Sequence, residues 1–327
     1  MTILWCGGED IDFPNGGPVT IEPYSARYRP AYGVRCALLM SGGAGGARSN
    51  NFPGGAVTSA WLSFQNSFGY YPNPATLLAG LVKDSTSMSG LYVGVSSSSS
   101  LRLALIKYDG TTKTQLAVEV ADSYQSAVVS KIDMQITGYG SNATVNVFLN
   151  SALIISYTGD VTVSGVTSLS AAAIVSNSYS AVSEIIVADE DTRLFSLATA
   201  APNAAGTTNQ WTGAYTDVNE VTTNDANLIY TNTDSQNSQF NLIDMPTGTF
   251  SVKAVKLSAR AAKSADSSVG TLKIGINSGG TVNVDSGQAL TTGWATYERL
   301  MQVNPITSNA FTPAEVNALQ LNLQSAT

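Results

Sequence analysis

The densest group of acid side chains in the sequence is Glu184, Asp189, Glu190 and Asp191, followed at once by Arg193. Two carboxylates can cleave a glycosidic bond, one as acid and one as base or nucleophile, if they flank the sugar at a defined separation. On a strand such a pair must fall at even spacing to share a face, and Asp189 and Asp191 have that parity. A hard cation is the other use for such a cluster, because calcium takes several oxygen ligands. Asp189 with Asp191, or Glu9 with Asp10 and Asp12, could supply some calcium ligands, but the expectation is that no cofactor or metal is bound. The competing expectation is an exposed domain junction whose acids pair locally with Arg193. The chain has no histidine. That removes Ser-His-Asp and Cys-His catalysis, His-ligated zinc and imidazole general bases together.

Few other residues offer chemistry. Tyr70, Tyr71 and Asn73 fall in a turn-rich stretch, Phe68-Gly69-Tyr70-Tyr71-Pro72-Asn73-Pro74. Tyrosines in a loop combine apolar area with a hydroxyl, so Tyr70, Tyr71 and Asn73 are the candidate contacts for a glycan or a protein partner. The alternative is that they cover the edge of their own domain. Trp211, Tyr215 and Tyr230 read as core or interface. Gly42 to Ala47 resembles a phosphate loop in composition only, since no Lys-Ser/Thr ending follows. Cys6 and Cys36 are either a disulfide pair or two buried thiols.

The elements that must position these residues are strands. Period-two alternation broken by Gly, Asn, Asp and Ser runs through the chain. It predicts strands over 56–64, 90–95, 101–108, 116–120, 129–137, 143–149, 152–157 and 182–188, then over 227–231, 239–243, 249–260, 271–276, 281–285 and 297–303. Trp61 is expected to pack inward on the first. Asp109-Gly110, Asn150-Ser151 and Ser278-Gly279-Gly280 are placed to turn hairpins. Thr312-Pro313-Ala314-Glu315 has the hydroxyl, proline and glutamate of a capping box, so a short helix should start there before a last strand. The expected fold is all-β: two successive β-sandwich or jelly-roll domains. The boundaries are 1–192 for the first, 193–209 for a small-residue linker and 210–327 for the second.

Composition narrows the function. Of 327 residues, 12% are charged, against about 25% in an average domain, and the net charge is −7. There is no basic run, which argues against nucleic-acid binding. No stretch approaches the ~20 apolar residues of a membrane-spanning helix, and the first residues lack the pattern of a signal peptide. The expectation is a product made in a cytosol that nonetheless carries the neutral, hydroxyl-rich surface of an extracellular protein. A virus particle reconciles the two.

Ile3-Leu4-Trp5-Cys6-Gly7-Gly8-Glu9-Asp10-Ile11-Asp12-Phe13 resembles the opening of a group of tailed-bacteriophage structural proteins. Further resemblance is carried by 51–62 (NFPGGAVTSAWL) and 184–193 (EIIVADEDTR). In the second half it is carried by 201–206 (APNAAG), Trp211-Thr212-Gly213 and 312–319 (TPAEVNAL). Such N-terminal regions are similar to concanavalin A-like (laminin G-like) sandwiches, so the resemblance implies that fold for the first domain. It also implies an assembled, repeated virion component. Hydrolases of that fold carry an E-x-D-x-x-E arrangement on one strand, which this sequence lacks. The expected function is therefore non-enzymatic. The chain would dock on other virion proteins and on its own copies, a trimer being one arrangement, with host-surface glycans as a further partner. A tail or baseplate adhesin or fibre is favoured over a capsid decoration (cement) protein, and a carbohydrate-active hydrolase is the remote alternative.

Overall fold

The computed structural model describes residues 2–22, 25–40, 46–68, 73–99, 102–125, 128–175 and 180–327. The chain divides into two compact units, Met1–Leu197 and Ala198–Thr327. Among the described residues no helix is long and apolar enough to cross a membrane.

Unit 1 is built from β1 (Ile3–Gly7), β2 (Asn15–Gly16), β3 (Val19–Glu22), β4 (Ala37–Met40), β5 (Ala47–Arg48), β6 (Ala60–Phe68), β7 (Leu77–Val82) and β8 (Gly90–Val95). It continues through β9 (Leu103–Tyr108), β10 (Lys113–Val118), β11 (Ser130–Thr137), β12 (Ala143–Leu149), β13 (Ala152–Gly159), β14 (Ala171–Ile174) and β15 (Ser180–Ala188). Two antiparallel sheets result. One runs β13-β12-β11-β6-β15-β4-β3 with β1 added beside β15, and the other runs β10-β9-β8-β7-β14-β5-β2. Alternation explains the first sheet: Ala60, Leu62 and Phe64 of β6 pair with Ile136, Met134 and Ile132 of β11 and are all buried. Trp61 has the opposite parity. It lies on the other face, half-exposed, stacked on Phe148 with ring centroids 5.5 Å apart. The expected inward packing of Trp61 is thus corrected by strict period two.

The central strands of the second sheet are buried on both faces, so they read as unbroken apolar runs. Every residue of β7, β8 and β14 is buried. The Tyr92 ring packs against Gly80, where an added Cβ would sit 2.5 Å from its Cδ1. Only glycine permits that approach.

Unit 2 contains β16 (Pro202–Asn209), β17 (Asn237–Leu242), β18 (Val255–Ala261), β19 (Thr271–Ser278), β20 (Thr281–Val284), β21 (Gln288–Ala289), β22 (Ala295–Met301), α1 (Pro313–Asn317) and β23 (Gln320–Ala326). Its main sheet runs β16-β17-β23-β19-β20 with β21 beside β19, and β18 pairs with β22. Phe240, Leu272, Ile274, Ile276 and Leu323 pack with Leu257, Tyr297 and Met301 in one apolar cluster, which Trp211 and Tyr215 border. Tyr230 is exposed instead.

The fold is all-β, as expected. The hairpins form where the turn residues stand: Asn150 and Ser151 at φ 48° and 71°, Gly279 and Gly280 at 58° and 88°. The capping box also forms, the Glu315 N–H reaching Thr312 Oγ1 at 3.2 Å and the Thr312 N–H reaching Glu315 Oε2 at 2.8 Å. Three expectations are corrected. Residues 202–209 are strand β16 rather than linker, because small residues with alternating exposure pair along β17. Residues 227–231 form only an isolated bridge between Thr212 and Tyr230. The strand expected over 249–260 begins at Val255.

Candidate functional site

The acid cluster sits at the end of β15 and on the outward face of the first sheet. The β15–β6 register shifts between Ser183 and Ile186, and Glu184 occupies the bulge with φ 52°, a conformation uncommon for a residue with a Cβ. The bulge turns its carboxylate, 2% exposed, against Arg29. Arg29 Nε donates to Oε1 at 2.8 Å and Nη2 to Oε2 at 2.5 Å, a bidentate fork. The guanidinium also lies 4.3 Å over the Tyr32 ring, and the Leu197 N–H reaches Oε2 at 3.4 Å.

Beside this pair, Lys131 and Asp133 project from the same face of β11. Lys131 Nζ donates to the carbonyls of Thr192, at 2.7 Å, and Phe195. Asp133 Oδ1 accepts from Thr192 Oγ1 at 2.8 Å. Burial raises the Asp133 carboxyl above its ordinary range, with the nearby Lys131 charge and the Thr192 and Ser63 hydroxyls opposing. Burial likewise lowers Lys131, against the pull of Asp133. Together Lys131, Asp133 and the Arg29-paired Glu184 clip segment 192–197 onto the sheet, and Leu194 at its tip is 92% exposed.

The other acids are engaged elsewhere. β15 ends at Ala188, so Asp189 and Asp191 do not share a strand face. Asp189 Oδ1 accepts the Thr2 N–H at 2.7 Å. Asp191 is held by Arg193, Nη2 to Oδ2 at 2.6 Å, and that guanidinium lies 4.6 Å over Phe148. Asp12 Oδ2 accepts the N–H groups of Gly8 and Glu9, and Glu9 pairs with Arg35 at 3.3 Å. Among the described residues no three His, Cys, Asp or Glu side chains converge as a metal site would require. Cys6 and Cys36 are free thiols, so the disulfide considered from sequence is not formed. The Cys36 sulfur is turned to Gly8 O at 3.4 Å.

Tyr70 and Tyr71 lie outside the described residues. Asn73 is exposed and its carbonyl accepts from Thr76 Oγ1. A cleft of about 100 Å³ opens among Lys107, Asp109, Thr112, Thr114, Thr162 and Ser164, well below the roughly 300 Å³ at which small-molecule pockets begin.

Unit 2 carries a second polar face, which sequence reasoning did not find. Asn237, Gln239 and Asn241 of β17 stand opposite Gln324, Asn322 and Gln320 of β23. Gln239 Nε2 donates to Asn322 Oδ1 at 2.9 Å, Asn322 Nδ2 to Asn237 Oδ1 at 3.2 Å, and Gln320 Nε2 to Asn241 Oδ1 at 2.9 Å. Asn277 of β19 joins by donating to Gln239 Oε1 at 3.1 Å. The β16–β17 ladder is interrupted between Ala205 and Asn209. There the N–H groups of Thr207 and Thr208 turn to the side-chain carbonyls of Gln320 and Gln239, both at 3.1 Å. Gly206 allows it, since a Cβ would come within 2.6 Å of Gln239 backbone. The even spacing of N-S-Q-F-N and Q-L-N-L-Q was the available signal.

The segments that carried the phage resemblance in unit 1 come together. β1 pairs with β15, and β15 pairs with β6, so parts of 3–13, 184–193 and 51–62 are hydrogen-bonded neighbours in one sheet. No family model and no curated protein matches the chain. Among solved structures it is similar to an endo-β-1,4-glucuronan lyase from the fungus Trichoderma reesei, at 10% identity and TM-score 0.40, over 58% of this chain and 96% of that one. It is also similar to a carbohydrate-binding module from Bacillus subtilis, at 8% identity and TM-score 0.34, over 53% and 97%. A Trypanosoma rangeli sialidase matches at 11% identity and TM-score 0.32, over 49% of this chain but only 28% of the sialidase. At such scores the likenesses assign nothing, and the fold class stands on the strand pairing itself.

Proposed function

We propose that this chain is a non-enzymatic structural protein of a tailed-bacteriophage particle, made in the host cytoplasm and working in the virion. It acts through surfaces that dock on other virion proteins and on its own copies, and that touch host glycans; a tail or baseplate adhesin or fibre is the favoured placement. The observation that carries this reading is the convergence of three resembling segments on the adjoining strands β1, β15 and β6. The residues that carry the resemblance build a sheet there rather than line a pocket. The engagement of Glu184 by Arg29 and of Asp191 by Arg193 supports the non-enzymatic part, because a glycosidase needs two carboxylates facing a sugar. Many copies on one particle would turn a weak single-site affinity into firm attachment.

Quantitative mass spectrometry of gradient-purified particles tests this. A fixed copy number of a few to a few dozen per particle is expected. Hundreds of copies would move the chain to the head as a decoration protein, and absence from particles overturns the virion reading. Glycan turnover by the purified chain that disappears on mutation of Glu184, Asp189, Glu190 and Asp191 would make it an enzyme.

A further inference from the structure

Trp294 stands in an exposed run, Thr291-Thr292-Gly293-Trp294, just before β22, and the residue is 39% exposed. Arg260 of β18, paired with Thr296 of β22, holds its guanidinium 5.9 Å from the centroid of that ring. The same guanidinium grips Asp225 in a bidentate fork, Nε to Oδ1 at 2.6 Å and Nη2 to Oδ2 at 2.8 Å. One cation therefore fixes a flat aromatic surface and a carboxylate beside each other. Asp225 itself is half-buried, between the exposed Asn224 and Ala226.

A pyranose ring has an apolar face of axial C–H bonds and a rim of hydroxyls. An indole face matches the first. A carboxylate held by Arg matches the second, since two oxygens offer about four lone-pair sites and the fork takes only two. The charges select among sugars. Arg260 and Asp225 neutralise each other locally and the chain is net −7, so an anionic sugar gains no attraction here while a neutral hydroxyl pair can still donate to Asp225.

We propose that Trp294, Asp225 and Arg260 form a subsite on unit 2 for a neutral pyranose of a surface glycan. Trp294 is the stacking platform, Asp225 the hydroxyl acceptor and Arg260 the positioning residue. The proposal rests on the glycan-contact part of the proposed function and locates that contact away from Tyr70, Tyr71 and Asn73.

Saturation-transfer NMR on the full chain tests it, with methyl glycosides of galactose, glucose and mannose as probes and glucuronate as the charged control. At least one neutral glycoside should receive transfer, and glucuronate less. Trp294→Ala should abolish the transfer, Trp294→Phe should keep part of it, and Asp225→Asn should weaken binding about tenfold, the loss expected for one charge-assisted hydrogen bond. Circular dichroism should leave all three variants folded like the parent; should Trp294→Ala misfold, the other two decide. Undiminished transfer in the Trp294 variants overturns this subsite while leaving the glycan contact standing. Preference for glucuronate overturns the charge argument and the proposal with it. Transfer to none of the three neutral glycosides, in a chain that mass spectrometry places in particles, removes both the subsite and the glycan contact but not the virion role.

Discussion

The two units each cover a polar sheet face, and they do so by opposite means. Unit 1 uses charges: Glu184 against Arg29, and Asp133 beside Lys131, under segment 192–197. Unit 2 uses neutral amides, with Gln239, Asn322, Asn277 and Gln320 bonded to one another and to the N–H groups of β16. A buried charge is tolerated only while its partner remains, because removing one leaves the other desolvated and uncompensated. A buried amide needs only its hydrogen bonds and does not titrate over the ordinary pH range. Unit 1's cover is therefore conditional on protonation, whereas unit 2's is indifferent to it.

The largest test of that contrast is Arg29→Ala. It strands the Glu184 carboxylate and should destabilise unit 1 by about 3–5 kcal/mol in urea unfolding. Adding Glu184→Gln should restore much of that, which a purely steric role for Arg29 would not allow. Next is Asn322→Ala in unit 2. It leaves the Gln239 and Asn237 amides short of partners and should cost about 1–3 kcal/mol, by the same amount at pH 5 and pH 8; a pH-dependent loss would erase the distinction between the units. The third test is the acid limb of unit 1. Burial raises Asp133 above its ordinary 3.8, so the folded state holds a proton that the unfolded chain has released. Stability from this group then falls as pH rises from 3.8 through the raised value. Asp133→Asn should remove that slope from the unfolding midpoints. The smallest effect belongs to Asp191→Asn at the exposed Arg193 pair, below about 1 kcal/mol. Its Arg193 hydrogen bonds hold the Asp191 carboxyl below 3.8. That contribution is present above 3.8 and is lost as pH falls through the lower value, so the parent should lose slightly more stability in acid than the variant.

Period-two patterning made half-buried strands legible. β12 falls on its expected limits, and β11, β19 and β20 lie within two residues of theirs; β8 and β15, buried along their whole length, were also placed within two residues, though not by alternation. It failed where the alternation has no physical basis. β7 and β14 are covered on both faces and so contain no polar register to read, while β16 alternates among Ala, Gly, Thr and Asn with no apolar stripe. The acid cluster was legible as composition but not as geometry, since nothing in 184–193 announces that a bulge turns Glu184 toward a residue 155 positions earlier. The amide face was hidden for a related reason. Asn and Gln read as solvent-facing, and only the pairing of β17 with β23 brings them into mutual reach.

The clip over 192–197 also decides how the protein carries mechanical load. Residues beyond 197 belong to unit 2, and the backbone enters unit 1 through this segment. Tension along it would meet the Lys131 ammonium on two carbonyls, the Thr192–Asp133 bond and the Leu197–Glu184 bond. A pull on this stretch of backbone is thus shared between β11, through Lys131 and Asp133, and the middle of β15, through Glu184, before it reaches the end of β15.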